Sequence, residues 1–213
     1  MEEAREGLWE SASAAHDEGR AGYRLYLCRS GIFPLVKYEE QLAQINDYCL
    51  YLLTCLEEKV TSLAPAEKDR GWFAPVTWQV HCYYGWLSMY QEVNKGTMLL
   101  LLLAFLETSL QELTEWFSDL AGRLAQWKKV HNPKVSDQLQ QLGRCCGRDL
   151  REELAAELAC YNKVRRIRNR FVHSQWDRMG DWPRQFSLAE VIDMISRILT
   201  RVEEAGLSAG LIG

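Results

Sequence analysis

The sequence predicts an all-α, antiparallel multi-helix bundle, and three observations carry that prediction. Apolar residues recur at three- to four-residue spacing through most long segments, the period of one helix face. No stretch alternates apolar with polar residues in the manner of a half-buried strand. Helix breakers fall between the periodic segments, at Gly31 and Pro34, Gly122, Asn132-Pro133, and Gly180 with Pro183.

Residues 1–34 read as an N-terminal arm and connector. Residues 1–20 are charged and alanine-rich, a marginal helix or mobile arm, and Gly22 to Pro34 is the connector proper. Residues 35–205 form the helical domain. Its first helix is expected over Leu35–Leu63, where Leu42, Ile45, Leu52, Leu53, Leu56 and Val60 mark one face. After a polar link (64–71), a helix is expected over 75–94, with Pro75 in its first turn. Asn94-Lys95-Gly96 either ends it or marks a weak point in a longer helix. A strongly helical segment follows over 97–121. His131 to Lys134 is a loop, and Ser136–Leu142 a short helix. The next helix runs from Arg151 to about Val172. Ser187-Leu188-Ala189-Glu190 has the form of a capping box and opens the last helix, expected to reach about Glu204. Residues 206–213 are expected to be a tail, loosely held from Ser208 onward.

Length and composition permit one sizeable domain with a genuine core: 213 residues, 47% hydrophobic and 25% charged. The net charge of −4 argues against non-specific coating of nucleic acid but leaves room for a local basic site. The first residues are polar, without an apolar signal core. The longest apolar run, Met98–Leu106, is too short to span a bilayer. A soluble, cytoplasmic chain with no membrane partner is therefore expected. Its seven cysteines are scattered without CxxC pairs and are expected to be reduced thiols. No metal or other cofactor is expected; a zinc site with His81 would need ligands from distant segments.

The chemistry concentrates in Arg168-Asn169-Arg170-Phe171-Val172-His173. Arginine offers a planar fork for phosphate, and histidine can act as acid or base near pH 7. On a helical wheel, Cys160, Val164, Ile167 and Phe171 share the core side, while Asn162, Arg165, Arg166, Asn169 and His173 share the opposite arc. Arg168 falls at the border, well around from His173, so one ideal helix does not aim both at a single atom. Lys163, Arg165, Arg166, Arg168 and Arg170 have no acid among them. They read as a phosphate-holding strip or, more plainly, as a solvated face that suits the helix dipole.

Arg168-Asn169-x-x-x-His173, late in an all-helical chain and followed by one more helix, resembles the signature of HEPN-domain ribonucleases. That resemblance covers residues 35–205 as a bundle, though its specific part is six residues. It implies a homodimer whose two motifs face one cleft and cut RNA without metal, which would also bring an Arg and a His together. It implies catalytic roles for Arg168, Asn169 and His173, with phosphate binding by Lys163, Arg165, Arg166 and Arg170. A role as toxin or anti-phage effector, with a possible antitoxin or regulatory protein, comes from the resemblance alone. HEPN toxins that are nucleotidylated carry a tyrosine two residues after the histidine; Gln175 stands there, so that control is not expected. The contrasting reading is a HEPN-like module that binds RNA or a protein partner without cutting.

Glu107 adjoins the most apolar stretch. It either pairs with Arg168 and sets its direction, or begins an exposed face shared with Gln111 and Glu115. The aromatics Trp72, Phe73, Trp78, Tyr83, Tyr84, Trp86 and Tyr90 could stack unpaired bases or serve as core and interface. Ser174 and Asp177 suggest a Ser-His-Asp hydrolase by residue type only, without a nucleophile elbow.

Overall fold

The structure is a computed structural model that describes residues 25–63, 78–123, 127, 133–173, 182 and 185–212. Several expectations fall outside those residues: the arm over 1–24, the link 64–71 and Pro75, Trp72, Phe73, His131, Ser174, Gln175, Asp177 and the break at 179–181. The side chains of Trp78 and His81 fall outside as well. The elements are α1 (Leu35–Leu63), α2 (Trp78–Ser88), a π turn (Met89–Val93), α3 (Asn94–Leu120), α4 (Val135–Cys146), α5 (Leu150–Glu153), α6 (Ala155–Val172) and α7 (Leu188–Ser208). The described residues are all-α, with helices packed on helices.

Periodicity becomes burial along α1, where Leu35, Tyr38, Leu42, Asn46, Cys49 and Leu53 are inside, a stripe at three- and four-residue steps. At its N-terminal end, Lys37 and Tyr38 both donate to Glu112 on α3, at 3.1 and 2.8 Å. Burial opposes ionisation of Glu112, but those two donors outweigh it and hold the carboxyl below its ordinary range.

Asn94-Lys95-Gly96 does not interrupt the chain. Helix runs unbroken from α2 through the π turn into α3, and all three residues are buried. Gly96 is small for a packing reason: a Cβ there would collide with the ring of Phe171 on α6. The irregularity lies one turn earlier, in the π turn.

The central element is α3, which packs on α1, α4, α6 and α7 and buries Leu99, Leu102, Leu103, Leu106, Leu110, Leu113 and Phe117 completely. By length and composition this helix could cross a membrane, which the shorter run Met98–Leu106 did not reveal; 56% of its most apolar window is buried within the bundle. That burial is what a core helix requires.

Downstream, α4 extends beyond the short helix expected and stops at Gly147, whose φ of 69° is left-handed. The helix expected from Arg151 is divided. Asp149 caps α5 by accepting from the amides of Arg151 and Glu152, and Leu154, at φ −109° and ψ 26°, bends the path before α6. Leu154 is itself buried, so the bend sets a core side chain. The expected capping box opens α7: Ser187 Oγ accepts from Glu190 N at 3.0 Å, and Ser187 N donates to Glu190 Oε2 at 3.1 Å.

Both ends of the 35–205 domain take in neighbouring chain. The tail is not loosely held: Gly210 N donates to Leu207 O and Leu211 N to Gly206 O, a Schellman closure, and Ile212 enters the core. Before α1, Tyr26 is buried and its hydroxyl donates to Glu203 Oε2 of α7 at 3.0 Å. Glu203 Oε1 accepts from the amides of Arg29 and Ser30 at 2.9 and 2.7 Å. Burial disfavours this carboxylate, yet the Ser30 amide and its companions hold its pKa below the ordinary value.

Candidate functional site

The helix bearing the motif buries Tyr161, Val164 and Ile167, with Phe171 half-buried against the core. It packs on α3 and α7. This stripe orients everything else on α6.

Arg168 turns toward α3. Its Nη2 donates to Glu107 Oε1 at 2.7 Å, and the side chain is 19% exposed. The hydroxyl of Tyr161 donates to the same oxygen at 2.7 Å. Tyr161 precedes Arg168 by two turns, so the shared carboxylate lies back along the helix, the direction in which helical side chains lean. Arg168 Nε is buried without a hydrogen-bond partner among the described residues. The Tyr161 phenol is raised well above its ordinary range, first by burial and then by Glu107. Of the two expectations for Glu107, the structure therefore contains the ion pair. Sequence reading missed Tyr161; its signal was its position two turns before Arg168.

His173 occupies a different place. It is the C-cap residue of α6, with φ −86° and ψ 13°, and it is exposed. Its amide donates to Asn169 O at 3.1 Å. That backbone bond links the two, and Asn169 is exposed. Lys163, Arg166 and Arg170 are exposed and Arg165 is half-buried. No acid occurs from Leu158 to His173. Within one chain, then, Arg168 leans inward and toward the helix start, while His173 stands at the opposite end and outside. The two share no hydrogen bond among the described residues.

Phe171 on the motif helix also joins aromatic packing that the sequence did not announce. Phe171 meets Trp182 at 5.8 Å between ring centroids, Trp182 stacks on Phe186 at 6.2 Å, and Lys95 Nζ lies 4.7 Å from the Phe186 centroid. The aromatic group on α2 is separate, since α2 packs on α1 and the π turn. Its Tyr83 and Tyr84 rings meet edge-on at 5.3 Å, Tyr84 and Trp86 are exposed, and Tyr90, in the π turn, is buried.

The seven cysteines are free thiols. Among the described residues no three His, Cys, Asp or Glu side chains gather as a metal site.

No family model, curated protein or solved structure compared with this chain matches it. The functional reading therefore stands on side-chain chemistry. The arrangement offers an anchored guanidinium, a solvated imidazole and a cationic helix face without acids, with the first two aimed in different directions.

Proposed function

We propose that this chain is a metal-independent endoribonuclease of HEPN type, working as a homodimer. In this reading a ribose 2′-hydroxyl attacks the adjacent phosphorus and the bond to the 5′-oxygen breaks. The products are a 2′,3′-cyclic phosphate and a 5′-hydroxyl. His173 of one subunit accepts the 2′-hydroxyl proton, and its counterpart in the second subunit protonates the leaving 5′-oxygen. Arg168 stabilises the charge that builds on the phosphoryl oxygens, Asn169 orients the imidazole or a phosphate oxygen, and Lys163, Arg165, Arg166 and Arg170 hold flanking phosphates. A toxin or phage-defence role in the cytoplasm, restrained by an antitoxin or regulatory protein, belongs to the same proposal.

The observation that carries the reading is the solvent-facing His173 at the end of a cationic stretch, acid-free from Leu158 onward, whose Arg168 is anchored by Glu107. A helix end open to solvent is accessible to a polymer, and a guanidinium held by one edge pays little ordering entropy when it meets phosphate.

One observation favours a second reading, a non-catalytic helical module that binds RNA or a protein partner. The Arg168 guanidinium points away from His173, as a purely structural ion pair would. Labelled RNA incubated with the purified chain and EDTA separates the two. The nuclease yields cyclic-phosphate ends, and His173→Ala abolishes them while leaving the melting curve unchanged. Binding without cyclic-phosphate ends, unaffected by His173→Ala, selects the module.

A further inference from the structure

The exposed arc of α6 does not stop at the motif. Asn162, Arg166, Asn169 and His173 follow one another at steps of four, three and four residues, and all four are exposed, so they line one face. From Asn162 to His173 this face runs about 16 Å along the helix axis. At its N-terminal end it meets a cleft of about 960 Å³ at the junction of α4, α5 and α6. Asn162 is part of that cleft's lining, together with Arg144, Arg148, Asp149, Arg151 and Glu152.

The charges in the cleft are not equivalent. Arg148 is committed to Glu153 through two parallel bonds, at 2.9 and 2.7 Å. Asp149 is committed to the amides that open α5, at 3.1 Å each. Glu152 is exposed and solvated. Arg144 and Arg151 are exposed and engage no acid among the described residues. Their guanidinium groups remain available in the lining, to which Asn162 adds a neutral donor and acceptor. Arg123 adds a further cation nearby, its Nη1 donating to Arg144 O.

We propose that this cleft is a single-stranded RNA subsite, and that a strand lies along the outer arc of α6 from His173 to Arg144 and Arg151. This rests on the nuclease reading for its choice of RNA but assigns a binding role to residues outside the motif. A strand's phosphates carry a regular line of negative charge, and a cationic groove tracks it through phosphate contacts without reading sequence. The continuity of cleft and acid-free arc suits an extended polymer better than a compact anion, which would fill only one end.

The test measures binding separately from cutting. The probe is a fluorescein-labelled single-stranded RNA of about 20 nucleotides, fully 2′-O-methylated so that it cannot be cleaved, titrated by anisotropy at several salt concentrations. Arg144→Gln combined with Arg151→Gln should weaken binding roughly 3- to 10-fold and lower the salt slope by about 1.4, the loss of two phosphate contacts to a single strand. Asn162→Asp, which introduces a negative charge into the lining, should weaken binding as well, and Lys59→Gln on α1 should not. Unchanged melting curves exclude misfolding as the cause. The proposal is overturned if the double variant binds as the unsubstituted chain does, if that chain does not bind the probe, or if a glutamate-rich peptide of equal charge competes as well as RNA. Weakened binding without any cutting of unmethylated RNA keeps the subsite and removes the nuclease. Cutting that depends on His173 but ignores Arg144 and Arg151 does the reverse.

Discussion

Arg168 and Tyr161, two turns apart on α6, donate to one oxygen of Glu107, each at 2.7 Å. The carboxylate thereby ties α6 to α3 and fixes the guanidinium by one edge. The pair is only partly shielded, at 19% and 33% side-chain exposure, so its worth is modest. Glu107→Gln should cost about 1 kcal/mol, a fall of about 3 °C in Tm for a chain of this size. Thermal melts of Glu107→Gln check this, and melts of Glu107→Ala, Arg168→Ala and the double variant isolate the pair. Additive losses would show that the two side chains do not interact.

Stability should fall in acid through Glu203. Its folded pKa lies below the unfolded value, so its contribution is complete above the unfolded carboxyl pKa of about 4.3. It drains away as pH drops through the folded value. Glu203→Gln should be less stable than the parent by about 2 kcal/mol at neutral pH, with the gap narrowing in acid. Urea melts at pH 7 and pH 3 measure that gap, and a constant gap refutes the assignment.

Gly96 admits the Phe171 ring where any Cβ would collide with it. Alanine is ordinarily favoured in helices by about 1 kcal/mol over glycine. Here overpacking should win, and Gly96→Ala should lose about 1–3 kcal/mol. Adding Phe171→Leu should recover part of that loss. Chemical denaturation of the three variants is the measurement; a stabilised Gly96→Ala would contradict the packing.

Thiol reactivity should be uneven. Burial pushes Cys49 up to about 12 and Cys146, with help from neighbouring Cys145, to about 11. At pH 8 roughly one Cys49 in ten thousand would be thiolate, the reactive form. Native-state alkylation followed by peptide mapping should therefore leave both unmodified long after the same reagent has labelled them in urea.

Much of the helix order was legible because burial follows a short period. The start of α1 and the Ser187–Glu190 box could be read directly, since each depends on residues within a turn or so. The bend at Leu154, the continuous passage through Gly96 and the docking of Ile212 depend on what packs from far along the chain, which no local pattern records. At the candidate site, residue types singled out Arg168, His173 and Glu107. The shared oxygen with Tyr161 needed two helices in register. The Trp182–Phe186–Lys95 contacts join residues far apart in the sequence.

The Glu203 contacts carry a consequence for biosynthesis. The carboxylate that fixes Tyr26, Arg29 and Ser30 is supplied 173 to 177 residues after them. A nascent chain on the ribosome cannot anchor that stretch until α7 has emerged. Tyr26 waits for α7, and the step that seats it comes after the intervening helices have been made.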